Sequence, residues 1–193
     1  MTELDPGPLL ADTGALLHGH FRLSSGRHSD VFVQKFRLFE NPVPTQRCGQ
    51  ALATRFDGAF DVVASPAVGA LVLGWATALA AEARSVFAER VNGRMVFRRG
   101  FRLGPGERVL VVEDVVTTGG SAREVVDLVN AAGAVPVGVG ALVDRSEPGS
   151  PPSLGAPLRA LVRLEATSWD AASCPLCRSG APLEDPGSRR LPT

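Results

Sequence analysis

Apolar positions along the chain change their period several times, and each change marks an element. Val109-Leu110-Val111-Val112 is a continuous apolar run, the pattern of a strand buried on both faces. Beyond it, Ala122, Val125, Val126, Val129 and Ala132 recur at helical spacing. Other short apolar runs predict strands at Val62-Val63-Ala64, from Ser85 to Glu89, from Val135 to Val143 and from Arg159 to Leu164. An alanine-rich segment predicts a helix from about Ala70 to Ala83. Asn41-Pro42 opens another that runs to about Phe56, with Asn as cap and Pro in the first turn. Asn92-Gly93 lies between two extended pieces and predicts a hairpin from about Arg90 to Arg99. Strands alternating with helices predict an α/β fold with a parallel, doubly wound sheet.

The two ends lack this alternation. Asp5-Pro6 predicts a short helix carrying Leu9, Leu10, Leu16 and Leu17, weakened or ended by Gly14 and Gly19. Phe21 to Gln34 holds two short extended pieces around the turn Ser24-Ser25-Gly26-Arg27. Residues 146–157, rich in Pro, Gly and Ser, predict a loop, and from Trp169 the chain reads as a proline- and glycine-rich tail. The expected division is an N-terminal segment over 1–40, a core over 41–165 and a tail over 166–193.

The chemistry concentrates where the valine strand meets its helix. The residues there are Glu113-Asp114-Val115-Val116-Thr117-Thr118-Gly119-Gly120-Ser121. Hydroxyls and backbone N–H groups at a helix N-terminus form a natural phosphate site. Glycines let the backbone approach a ligand closely. The acidic pair suits ribose hydroxyls or a bound Mg²⁺. Three further regions are candidates for the same ligand. They are Ser65-Pro66-Ala67-Val68-Gly69 at another strand end, the arginine hairpin with Arg90, Arg94, Arg98 and Arg99, and Asp144-Arg145.

Bulk properties narrow the function classes. Lys+Arg and Asp+Glu are both 20 in 193 residues, so the formal charge is zero and general attraction to nucleic acid or membrane is not expected. No apolar run reaches the length of a membrane span, and MTELDPGPLL lacks the features of a signal peptide, so a soluble cytoplasmic protein is expected.

The run VLVVEDVVTTGGS resembles the phosphoribosyl-pyrophosphate (PRPP) motif of type I phosphoribosyltransferases. Taken in order, FRLSSGRHSDVFVQ, SPAVG, the arginine hairpin, VLVVEDVVTTGGS and ALVDRSE resemble the orotate phosphoribosyltransferase family over most of residues 14–147. The resemblance implies a central parallel sheet flanked by helices, a small N-terminal hood and a mobile hairpin. It implies transfer of phosphoribose from PRPP to orotate in pyrimidine (UMP) synthesis, with Mg²⁺ held mainly through PRPP and water rather than protein side chains. It also implies a homodimer with sites completed across the interface.

Carried onto this chain, Arg90 and Arg94 would meet the departing pyrophosphate, and Glu113 and Asp114 the ribose hydroxyls, with Asp114 in the catalytic set. Ala67, Val68 and Val115 to Ser121 would line the PRPP site. Thr117, Arg145 and Phe32 would meet orotate, Arg145 through its carboxylate and Phe32 by stacking. The chain departs from the family pattern at Ser24, where many members have lysine, and at Val68-Gly69-Ala70, where many have Tyr-Lys-Gly. Its hairpin carries arginines in place of lysines and histidine. A purine-base phosphoribosyltransferase and a PRPP-sensing regulator are the alternatives. SSGRHSD and Arg145 weigh against the first, and the neutral charge against the second.

Cys174-Pro-Leu-Cys177 is a single CxxC. The only other cysteine is Cys48, and all three histidines lie near the N-terminus, so the tail alone supplies too few ligands for zinc. Structural thiols or a disulfide are the expectation there, with bound zinc the alternative if carboxylates or a second subunit contribute ligands. His18 and His20 read as helix-end polar residues without a role, and His28 has only its place in SSGRHSD.

Overall fold

The computed structural model describes residues 6–23, 25–147, 149–165 and 167–186. Asp5 and Ser24 lie outside them. The elements are α1 (Pro6–Asp12), β1 (Leu16–Arg22), β2 (His28–Val33), α2 (Lys35–Phe39), α3 (Pro42–Arg55), β3 (Val62–Pro66) and α4 (Leu71–Ala80). They continue with β4 (Arg84–Val91), β5 (Arg94–Phe97), β6 (Arg108–Val116), α5 (Gly120–Ala131), β7 (Val135–Asp144), β8 (Leu158–Arg163), β9 (Ser168–Trp169) and α6 (Pro175–Arg178). No helix among the described residues is long and apolar enough to cross a membrane.

Two compact units result. The larger is built from Asn41–Leu164, the smaller from Gly7–Glu40 together with the segment from Glu165 onward. The N-terminal segment and the tail, separate in the sequence reading, thus belong to one folding unit.

The larger unit is a six-stranded sheet in the order β5-β4-β3-β6-β7-β8. Every neighbouring pair is parallel except β4 with β5, the hairpin at one edge. Its central strand β6 buries Val109, Leu110, Val111 and Val112 completely, because helices cover both faces. Alternation sorts the side chains. Val62, Ala64, Val109 and Val111 pack in one cluster with Val125, Val126 and Val129 of α5. Val63 and Ser65 face α4 on the other side, where a Cβ on Gly74 would meet Ser65 at 2.8 Å.

Close approach on that second face depends on missing side chains. A Cβ on Gly49 of α3 would meet the backbone of Ala76 in α4 at 2.5 Å. A Cβ on Gly138 of β7 would run into the ring of Phe56. Glycine is needed at these places for space, not for backbone freedom.

The smaller unit holds an antiparallel sheet in the order β1-β2-β9. Gly14, at φ +66°, ends α1, and Leu16 and Leu17, expected on a helix, begin β1 instead. His18 and His20 are therefore strand residues. The tail returns alongside β1, where the Glu184 N–H donates to the His20 carbonyl and the Arg22 N–H donates to the Glu184 carbonyl, both at 2.8 Å.

Candidate functional site

The connection after β3 leads to β4 on one side and that after β6 leads to β7 on the other, so they leave the adjacent pair β3 and β6 in opposite directions. Ligands of open α/β sheets bind beyond the carboxyl ends of the strands at such a switch point. The carboxyl end of β3 delivers Ser65 to Gly69, and that of β6 delivers Glu113 to Ser121. Two of the candidate regions therefore meet where the topology opens a crevice. The Ala67–Val68 peptide in the first is cis. Ala67 is half-buried and Val68 exposed.

In the second region, Glu113 and Asp114 are both buried. The Asp114 N–H donates to Glu113 Oε1 at 3.0 Å, and the Val115 N–H donates to Asp114 Oδ1 at 2.6 Å. Local backbone bonds thus fix both carboxylates at the strand end. Val115 is half-buried and Val116 buried, while Thr117, Thr118 and Gly120 are exposed and Ser121 half-exposed. Gly119 takes φ +74°, and helix α5 begins at Gly120. A Cβ on Gly119 would also collide with Leu154, which is buried in the loop before β8. That loop is tied to α5 by Arg123, which donates to the Ser153 carbonyl at 3.1 Å. The result is a polar turn over a helix N-terminus, held from outside by an apolar clamp. Its hydroxyls and N–H dipole favour phosphate.

Arg145 follows β7 and is half-buried; its N–H donates to the Val116 carbonyl at 2.7 Å. This bond joins the expected base-recognising arginine to the end of β6. Asp144, the residue before Arg145, is held by its other neighbours. It accepts from the Ser146 N–H at 2.8 Å and pairs with Arg163 of β8. Burial raises the Asp144 carboxyl, but Ser146 and Arg163 outweigh it and hold the group below its ordinary value.

The hairpin forms as expected, with Asn92 and Gly93 at φ 49° and 81°. Both of its strands are anchored to the rest of the larger unit. Met95 is 6% exposed and packs into the main cluster, so β5 is part of the core. Arg90 donates to both oxygens of Glu124 on α5, at 3.2 and 2.8 Å, and Glu124 also accepts from the Met95 N–H. The Arg90 hydrogen bonds hold the Glu124 carboxyl below its ordinary value. Arg90 thus has a structural partner at the edge of the sheet, although both Arg90 and Arg94 are exposed. Phe32 lies in the smaller unit, half-buried against Phe21 with ring centroids 5.7 Å apart.

The profile of the phosphoribosyl transferase domain matches residues 45–156. An orotate phosphoribosyltransferase of Thermotoga maritima is 48% identical over 186 residues, covering 95% of this chain and 97% of that one. The chain belongs to the orotate phosphoribosyltransferase family. Among solved structures, orotate phosphoribosyltransferase of Mycobacterium tuberculosis H37Rv, in complex with inorganic phosphate, matches with a TM-score of 0.62 at 28% identity. The match covers 82% of this chain and 97% of that one. An adenine phosphoribosyltransferase from Thermoanaerobacter pseudethanolicus matches with a TM-score of 0.58 at 16% identity, covering 69% and 88%. The type I phosphoribosyltransferase fold is therefore common to both branches, and sequence identity along nearly the whole chain separates them.

A second group of chemical side chains is brought together within the smaller unit. His20, His28, Cys174 and Cys177 present ligand atoms that all lie within 4.8 Å of one another. The expectation that the histidines stand apart from the CxxC is corrected here. It failed because a helix was expected where β1 runs, and because the tail's return to β1 leaves no mark in the sequence. Cys48 is not part of the group; it is buried in α3, where burial pushes its thiol up to about 12.

Proposed function

We propose that the protein transfers the phosphoribosyl group of PRPP to orotate, giving orotidine 5′-phosphate and pyrophosphate in pyrimidine nucleotide synthesis. The observation that carries this reading is the buried Glu113–Asp114 pair leading into a positive-φ glycine turn at the N-terminus of α5. It lies at the sheet's switch point, in a chain whose likeness to orotate enzymes runs nearly end to end.

Departure of pyrophosphate leaves positive charge on the ribose and negative charge on the leaving group, so catalysis is positioning and charge stabilisation. Thr117 to Ser121 would hold the 5′-phosphate, with Ala67 and Val68 on the opposite lip. Asp114 and Glu113 would accept from the ribose hydroxyls and offset the charge at the sugar. Arg94 would meet the pyrophosphate. Arg90 can join it only by giving up Glu124. Arg145 would present its planar fork to the orotate carboxylate. The buried carboxylates also fit a hard, oxygen-seeking cation. Mg²⁺, held mainly by PRPP and water, would neutralise the leaving group.

A homodimer goes with this reading. Val72, Trp75 and Leu79 form an exposed apolar stripe along α4, with Trp75 59% exposed. Such a stripe marks a protein contact, and a second copy is its proposed occupant. Sedimentation should show a dimer that Trp75→Glu converts to monomer; an unchanged dimer would place the interface elsewhere. A cytoplasmic location fits the three free cysteines.

The deciding experiment follows absorbance with PRPP, Mg²⁺ and either orotate or a purine base. Orotate should be consumed and purines left untouched. Turnover of a purine alone, or of no base, would sink the proposal.

A further inference from the structure

We propose that the smaller unit carries a structural zinc site formed by His20, His28, Cys174 and Cys177. It is a site separate from the Mg²⁺ of the transferase reaction and independent of that reading. The four donors come from β1, β2 and the turn opening α6, so three separate pieces of chain converge on one point.

The spacing suits a four-coordinate ion. Around zinc, with Zn–N about 2.0–2.1 Å and Zn–S about 2.3 Å, a tetrahedron has N–S edges of about 3.5 Å and an N–N edge of about 3.3 Å. Here Cys174 Sγ lies 3.5 Å from His20 Nε2, and Cys177 Sγ lies 3.6 Å from His20 Nε2 and 3.3 Å from His28 Nδ1. His20 Nε2 and His28 Nδ1 are 2.9 Å apart, an edge that needs to open by a few tenths of an ångström.

The surroundings favour metal over a plain thiol cluster. His20 Nδ1 is 2.9 Å from the Ala181 carbonyl, which can only accept, so that nitrogen carries the proton. In the neutral ring Nε2 then holds its lone pair toward the two sulfurs. A histidine held from behind by a carbonyl is the usual arrangement for a metal ligand. His20, His28 and Cys174 are buried, and Cys177 is exposed, which leaves one side open for an ion to enter. The donor set has two sulfurs, two imidazoles and no carboxylate, which selects zinc over Mg²⁺ or Ca²⁺.

Charge balances as well. On binding, each cysteine thiol releases one proton to solvent, both imidazoles stay neutral, and two thiolates offset the double charge of the ion. A neutral centre can be buried without an unpaired charge. The benefit is structural. The ion would join β1 and β2 to the tail, closing a chain loop of more than a hundred residues in a unit with a small core.

The test uses the full chain, purified without added metal or chelator. Elemental analysis should find about one zinc per chain. Replacing it with Co²⁺ should give the ligand-field bands of a tetrahedral site and a thiolate-to-cobalt charge-transfer band. Chelation should lower the Tm and expose residues 165–186 to protease, and Zn²⁺ should restore both. Cys177→Ser, at the exposed ligand, should bind zinc at least tenfold more weakly while keeping a folded larger unit. Several results would overturn the proposal. They are a zinc-free chain that takes up no Zn²⁺ or Co²⁺, a cobalt spectrum without the thiolate band, or full zinc retention by Cys174→Ser/Cys177→Ser. Recovery of the two cysteines as a disulfide in metal-free protein that rejects zinc after reduction would do the same.

Discussion

The two units hold themselves together by different means. In the larger, a sheet with helices on both faces buries an unbroken apolar run, Val109 to Val112, and its polar chemistry sits on top of a scaffold that does not need it. In the smaller, the strands are short, and the described buried apolar side chains are few, with Leu10, Phe21, Val33, Leu38 and Phe39 the larger ones. Its polar cluster lies inside, between the pieces of chain it would have to join. Function and stability are therefore separable by mutation in the first unit and merged in the second.

The sharpest way to test that separation is the acidic pair. Glu113→Gln with Asp114→Asn keeps shape and hydrogen-bonding size but removes the charge. Activity should fall by about 10²-fold or more, the scale for loss of a charge-stabilising contact, while the Tm stays close to that of the parent. Near-normal turnover would remove these carboxylates from the site. Arg145→Ala should cut kcat/KM for orotate by about 2–5 kcal/mol of transition-state binding, with PRPP affinity little changed. If PRPP binding collapses instead, Arg145 belongs to the phosphates.

Gly119→Ala should blur the separation, because it touches scaffold and site together. The left-handed backbone and the collision with Leu154 should cost about 1–3 kcal/mol of stability and weaken phosphate binding as well. A stable variant with unaltered PRPP affinity would show that the loop around Leu154 yields easily. Arg90→Ala and Arg94→Ala form a pair. Loss of the exposed Arg90–Glu124 bridge should cost under about 1 kcal/mol of stability, and Arg94→Ala should leave the Tm unchanged but slow turnover. Equal activity losses would show that Arg90 leaves Glu124 to meet substrate.

The smallest effect belongs to Asp61, whose carboxyl is pulled down to about 2 by hydrogen bonds from Arg108. A depressed carboxyl stabilises the fold above its unfolded value of about 3.9 and loses that contribution as pH falls through the folded one. Asp61→Asn should therefore lower the Tm slightly at neutral pH, the difference from the parent shrinking between about pH 4 and 2. A gap that widens on acidification would contradict the assignment.

What was legible in the chain follows the same division. Strand β6, its acidic pair, the turn and α5 are contiguous, and each obeys a local rule: apolar run, left-handed glycine, helical stripe. The Asn92-Gly93 hairpin was readable for the same reason. Its firmness was not, since the seating of Met95 and the Glu124 clamp depend on α5 lying across the edge. The His20–Cys174 encounter joins residues 154 positions apart, and although Leu9 and Leu10 lie on the expected helix, Leu16 and Leu17 open a strand instead. Short apolar segments are ambiguous in this way; packing against the returning tail, not propensity, decides for a strand.

Because the smaller unit is assembled from both sides of the larger, its completion has an order in time. On the ribosome β1 and β2 emerge long before β9, and the whole of Asn41–Leu164 is made in between. Until the tail follows, the edge of β2 that will pair with β9 lacks its partner, and the two histidines lack their cysteines. A chain interrupted near residue 165 would have every residue of the larger unit and could never finish the smaller one. The segment over 167–186 therefore completes strands made at the start of the chain, and changes to it act on β1 and β2.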